Sequence, residues 1–416
     1  MDQQNSAAGG QSDAMLYQRP LRAEDSEIRL LTVQPSARLA DTVECHLSIV
    51  RLDEDPEYLA LSYCWGEPRD KDLISINHHS VSVGRNLATA LRHLRHATLP
   101  KVLWADALCI NQGNTPEKNE QVRKMGLIYK NAFKVLSWLG VAADNSDLAI
   151  DMLQRIADKI EPHAGQGDLS TAPLNATSGS SQDLETQQRD GITPTENPEE
   201  RLKDPTVMER LSNIEELFMI DETTVSGNYF GNKAWKAIHC LLSRPYWERL
   251  WIRQEMVLAK DLILHCGTKS ISWRHLQLAV REGIPACASP AGRSYFNDAV
   301  WPAPLLMTPG PVIAVDTARR WLTPKQSSIY DLMPWALELK AQNPRDYVYG
   351  LLGMAESDML PDYDERVEIL YHRHGILWYR QFTVVDSASV LHEGYHERLD
   401  GHRKPPWGKV SSGEQS

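Results

Sequence analysis

The run "EYLALSYCWG", Glu57 to Gly66, is apolar almost throughout and stops at Trp65-Gly66. A strand with one wet face alternates apolar and polar residues, whereas a strand covered on both faces reads as a continuous apolar run. "KVLWADALCI" (Lys101–Ile110), closed by the turn residues Asn111-Gln112-Gly113-Asn114, has the same character, as does "FKVLSWLG" (Phe133–Gly140). "DLILHCG" (Asp261–Gly267) supplies a further strand. Between these runs the spacing changes to that of helices. Leu87, Leu91 and Leu94 recur at helical intervals in Asn86–Ala97. Thr115 is placed to cap a helix over Pro116–Ala132, with Pro116 in its first turn and Val122, Met125, Tyr129 and Ala132 on one stripe. Gly126 inside that helix costs up to about 1 kcal/mol relative to Ala, which predicts close packing there. Strands alternating with helices point to an α/β fold built on a parallel sheet covered on both faces. Ligands of such sheets sit beyond the carboxyl ends of the strands, so the loops after Gly66, Ile110 and Gly140 are where to look.

Further along, an amphipathic helix runs to about Ile160. Residues 163–205 differ in kind: they hold no Phe, Trp or Tyr and carry eight acidic against three basic residues. Such a segment buries too little apolar surface to offset its ordering entropy and is expected to be a flexible insertion. Residues 1–15 have the same look of a disordered tail. Helical patterns resume at Thr206. "SRPYWERLWIRQEMVLA" (Ser243–Ala259) then predicts a helix over about Tyr246–Ala259, with Trp247, Leu250, Trp251, Val257 and Leu258 on one apolar face. Gln254 falls near the middle of that face and Glu255 on its margin, although an unpaired buried charge is costly. A helix is expected near Trp273–Glu282, an irregular connection over 283–326, and helices around Ser328–Ala341 and Arg345–Met354 in an extension ending near 380. Residues 381–416 are weakly patterned.

The chain has 416 residues, 42% hydrophobic and 24% charged, with a formal net charge of −11. That length suggests two or three structural units. The acidic balance argues against nucleic acid as the main partner, since phosphate binding needs an excess of Lys and Arg. Six scattered cysteines without a CxxC pair fit reduced thiols rather than a zinc site or disulfide framework. No secretory signal opens the sequence and no apolar run has the roughly 18 residues needed to span a bilayer. These features predict a cytoplasmic protein.

"YLALSYCWG", "LWADALCINQGNTPEKNEQVRKMGLIYKNAFKVLSWLG" and "RPYWERLWIRQEMVLA" together resemble the three signature blocks of the heterokaryon incompatibility (HET) domain of filamentous fungi. "NPRDYVYGLLGMAESDMLPDYDERVEILY" (Asn343–Tyr371) is similar to the segment that commonly follows that domain. The resemblance places the domain at 16–282. It implies allorecognition: programmed cell death after fusion of unlike fungal cells, with an incompatible-allele partner or a homo-oligomer as the interacting protein. It also implies a TIR- or flavodoxin-like doubly wound parallel sheet, with a helical C-terminal extension. Some TIR domains cleave NAD with a helix-borne glutamate; others act as non-enzymatic, self-assembling signalling scaffolds.

On this basis Glu255 is the catalytic candidate. NAD cleavage passes through an oxocarbenium-like state that a sheltered carboxylate stabilises. The alternative is structural: Gln254 caps a neighbouring backbone edge, and Glu255 pairs with Arg253 or Arg249. Ser62, Tyr63, Trp65 and Gly66 end the first strand where a nucleotide would approach, Trp65 able to stack on a ring and Gly66 to admit a backbone; core packing and a turn explain them as well. Asp106 either orients a catalytic group or accepts local hydrogen bonds. Asn343 to Asp346 read as a helix start. NAD enters only as a possible substrate, and no cofactor or metal is expected. "HEGYHERLDGH" (His392–His402) has the HExxH spacing of a zinc hydrolase with Glu393 as base. Leu399 stands where the usual glycine would be and no Met follows Met359, so a solvated tail is the plainer reading.

Overall fold

A computed structural model describes residues 16–160, 205–219, 231–289, 292, 294–295, 310–321, 327–336 and 339–373. Residues 1–15, 161–204 and the HEGYH segment lie outside the described residues, so the expected tail, nearly all of the expected insertion and the zinc alternative do too. The strands are β1 (Glu27–Val33), β2 (Glu44–Arg51), β3 (Leu59–Tyr63), β4 (Lys71–Ile76), β5 (His79–Gly84), β6 (Lys101–Trp104), β7 (Lys134–Trp138), β8 (Leu262–Cys266) and β9 (Lys269–Ser272). They form one sheet in the order β5-β4-β2-β1-β6-β3-β7-β8-β9.

The centre of this sheet, β6-β3-β7-β8, is parallel throughout. Its strands come second, first, third and fourth in the chain, the flavodoxin-like doubly wound order. The expected α/β architecture is therefore present, but the sheet is mixed. β1 joins β6 antiparallel, and the β1–β2, β4–β5 and β8–β9 pairs are antiparallel as well. Strands joined by short connections can only return as hairpins. The β4–β5 turn is an example, with Asn77 and His78 both at positive φ (51° and 67°).

The helices that matter for the site are α1 (Arg85–Leu94), α2 (Asp106–Cys109), α3 (Thr115–Asn131), α4 (Ser146–Ile160), α5 (Pro205–Leu211), α6 (Lys233–Leu242) and α7 (Ile252–Val257). Asn114, not Thr115, caps α3: its Oδ1 accepts from the Glu117 amide at 3.0 Å. Arg29 on β1 reaches across the buried interior to Glu117, donating from Nη2 to Oε2 at 3.1 Å, and anchors the start of α3 to the sheet.

The single helix expected over Tyr246–Ala259 is broken. A 3-10 turn covers Pro245–Glu248, Arg249 is extended (φ −76°, ψ 136°), and α7 starts only at Ile252. The break is held from outside. Arg249 bridges to Lys340 in parallel, with the Leu250 amide donating to the Lys340 carbonyl at 3.0 Å. α7 is then buried all round, so Gln254 and Glu255 are interior groups on a fully covered helix rather than intruders on one apolar face. A second difference lies at Gly310–Trp321, a helix inside the stretch expected to be irregular. Val312, Val315 and Ala318 form its buried stripe.

Gly126 of α3 meets the C-terminal segment backbone to backbone. A Cβ there would stand 2.6 Å from Gly353 Cα. Gly126→Val is therefore expected to cost about 1–3 kcal/mol or more, as overpacking does, and to loosen residues 339–373. Faster limited proteolysis within that segment, alongside a lowered melting temperature, is the expected result; an unchanged melt would show that the contact yields freely.

Candidate functional site

β3 and β7 lie side by side with Ser62 opposite Ser137. The Tyr246 hydroxyl is hydrogen-bonded to both, 2.8 Å from each Oγ. Ser62 in turn donates to the Glu255 carboxyl. Serine on neighbouring strands, a tyrosine from the 3-10 turn and a glutamate from α7 thus form one buried polar chain between sheet and helix. Glu255 is 1% exposed. Burial pushes its carboxyl up to about 7, against the opposing influence of the Arg249 charge and the Ser62 hydrogen bond. Arg249 runs past this layer and donates to the Tyr63 carbonyl. Gln254 does what its structural reading expected: Oε1 accepts from the Gly353 amide at 2.8 Å.

Above this layer, where the carboxyl ends of β3 and β6 open out, is a cleft of about 560 Å³. Its position is the one that doubly wound sheets offer to ligands, and its size is that of a small-molecule site. The β3 side contributes Cys64, Trp65 and Gly66. Gly66 has φ +77°, a left-handed conformation that suits glycine. The turn is held by Asn86, whose Nδ2 donates to the Cys64 carbonyl at 2.7 Å while its Oδ1 accepts from Trp138 at 3.0 Å.

Asp106 enters from the β6 side. The strand ends at Trp104, so Asp106 opens α2 rather than lying within a strand as expected. Its Oδ2 accepts from the Trp65 indole at 2.8 Å and its Oδ1 from the Ala107 amide at 2.7 Å. Burial raises its pKa, opposed by Arg249 and by the Trp65 hydrogen bond. The opposite wall comes from far along the chain. Asp346 accepts from the Tyr363 hydroxyl at 2.7 Å and from the Trp251 indole at 3.1 Å, and burial raises its pKa also. Lys118, on the first turn of α3, sets its ammonium 3.9 Å from the centre of the Tyr363 ring.

Of the residues expected at a site, Trp65, Gly66 and Asp106 line this cleft, whereas Ser62, Tyr63 and Glu255 are buried beneath it. Lys118, Arg249, Trp251, Asp346 and Tyr363 were not foreseen as lining it. Asn343 does organise a helix start, bonding the Arg345 amide at 3.0 Å, and the same turn aims Asp346 into the cleft. Among the described residues no group of His, Cys, Asp and Glu could hold a metal ion, and no helix is long and apolar enough to cross a membrane.

Residues 58–255 match the family model described as "Heterokaryon incompatibility protein (HET)". The chain is 27% identical over 381 residues to "Heterokaryon incompatibility protein 6, OR allele" of Neurospora crassa, with 81% of this chain and 49% of that protein covered. The chain therefore spans about half the length of that relative. No solved structure matches it significantly.

Proposed function

We propose that this chain, whose residues 58–255 match the heterokaryon incompatibility family model, acts in heterokaryon incompatibility and kills mixed cells by consuming NAD at the cleft beyond β3 and β6. The observation that supports this is the placement of a buried acid, Asp106, and a fixed indole, Trp65, at the mouth of that cleft. Hydrolysis adds water to the ribose anomeric carbon while the bonding pair of the glycosidic C–N bond leaves with nicotinamide, releasing ADP-ribose and one proton. The positive charge that develops on the ribose is what a sheltered carboxylate stabilises. In this arrangement Asp106 is the acid that faces the ligand. Glu255 works from beneath, holding Ser62 and biasing Arg249. Incubating the purified chain with NAD should release nicotinamide; Asp106→Asn should lower the rate by about 10²-fold or more, as loss of one transition-state partner does. Glu255→Gln should lower it less.

The burial of Glu255 favours a second reading: a non-enzymatic, self-assembling scaffold that signals through contact with an incompatible-allele partner or with its own copies. It predicts that NAD stays intact while expression in a susceptible fungus still kills, and that outcome would retire the hydrolase.

A further inference from the structure

An open sheet leaves two strands with one side unpaired, here β5 and β9. The hydrogen bonds around β4 fix which residues of β5 face outward. The Ser75 and Asn77 amides donate to the Val43 and Cys45 carbonyls on the β2 side, at 2.8 and 3.0 Å. Successive strand residues turn their backbone groups to opposite sides, so Asp72, Ile74 and Ile76 turn theirs towards β5. The register pairs these three with Val83, Val81 and His79. The backbone N–H and C=O of Ser80 and Ser82 therefore point away from the sheet.

The two edges differ in how such groups are treated. The same alternation turns Ser270 of β9 outward, because the His265 carbonyl opposite it faces β7. That edge is covered: Gln154 of α4 donates from Nε2 to the Ser270 carbonyl at 3.1 Å. At β5, among the described residues, no hydrogen bond reaches the outward groups of Ser80 or Ser82, and both residues are exposed. Folded proteins guard bare edges with Lys, Pro or a bulge. "HSVSVG" has none of these, and its six residues pair with β4 without interruption.

Such an edge is completed by another extended strand, and β5 is complementary to itself. Set antiparallel about a twofold axis at Ser82, two copies place Ser82 opposite Ser82 and Ser80 opposite Gly84. Only outward-facing residues then exchange hydrogen bonds. Directly opposite residues share a face, so Val81 meets Val83 on the buried side and the serines stay on the wet side. No like charges meet between Ser80 and Gly84, which are uncharged throughout. We propose that β5 is a self-association edge through which two copies of this chain join antiparallel into one continuous sheet. A single strand pair is small beside a permanent interface, so the dimer forms with rising concentration. The pairing does not depend on what the cleft does, and its failure leaves the NAD assay to be decided separately.

Sedimentation velocity of the full chain from about 1 to 100 µM tests it, the range in which weak dimers show. The mean sedimentation coefficient should climb towards that of a dimer. Ser82→Pro removes an outward N–H and no bond to β4, a place where an edge strand tolerates proline. It should weaken the dimer about tenfold or more, the worth of a lost hydrogen bond or two, with the melting temperature unchanged. Ser82→Lys, which sets two ammonium groups opposite each other, should do the same and carries the test if proline disturbs the fold. Hydrogen-bonded strand pairs bring Cα atoms to about 5.5 Å, within reach of a disulfide. Oxidised Ser82→Cys should therefore give a covalent dimer that neither the oxidised wild type nor Ser270→Cys gives. A coefficient that stays constant with concentration overturns the proposal. So does a dimer that the folded Ser82 variants leave intact, or one that Ser82→Cys fails to trap.

Discussion

Trp247→Ala is expected to lower the unfolding free energy by about 3–5 kcal/mol, the range for truncating a large buried aromatic. Trp247 is 2% exposed, packs edge-on against Tyr246 with centroids 5.4 Å apart, and donates from Nε1 to the Leu241 carbonyl at 3.1 Å. Its removal opens a cavity beside the one tyrosine that bridges Ser62 and Ser137, and leaves the α6 carbonyl without its donor. Trp251, four residues on, provides the control. Its indole stands in the cleft wall, partly exposed, so Trp251→Ala should cost much less in stability while disturbing Asp346. Urea unfolding monitored by circular dichroism gives both values. A loss below about 1 kcal/mol for Trp247, or a larger loss for Trp251 than for Trp247, would mean that the helix break at Arg249 is misplaced.

That break also explains what could be read from the sequence and what could not. Angles around an ideal helix put Trp247 and Trp251 on the same buried face. They do not share one, because Arg249 leaves the helix to pair with Lys340, some ninety residues away. Nothing local in "YWERLW" announces a partner at that distance. The parallel centre of the sheet was legible because each of its strands is a continuous apolar run, a signal carried by burial on both faces. The β4–β5 hairpin was not, since its turn is Asn77-His78 rather than the Asn-Gly that usually marks such turns. The same contrast holds at the cleft. Trp65, Gly66 and Asp106 sit at strand ends, where topology alone directs attention. Asp346 and Tyr363 enter through tertiary packing of a distant segment; Asp346 could be recognised as part of a helix start but not as a cleft wall.

Glu255→Gln is the second large effect, and its sign depends on pH. The folded-state carboxyl titrates at about 7 against an ordinary 4.5, with burial the leading cause and no guanidinium in ion-pair contact among the described residues. Below pH 4.5 the group is protonated whether folded or not, and contributes nothing. Between about 4.5 and 7 the native state keeps a proton that the unfolded chain releases, so stability falls as pH rises. Above 7 the penalty is constant, at most about 3 kcal/mol for this shift. Glutamine carries no charge to desolvate and can still accept from Ser62. Glu255→Gln should therefore melt close to the wild type at pH 4.5 and become progressively the more stable protein up to pH 8. Thermal melts of both proteins across that range decide it. A variant destabilised by several kcal/mol at pH 8 would show that the Glu255 charge is anchored by Arg249 after all, because breaking a buried ion pair strands its partner. A more stable variant that has lost killing activity would show instead that the chain keeps an unfavourable charge in its interior for the sake of function.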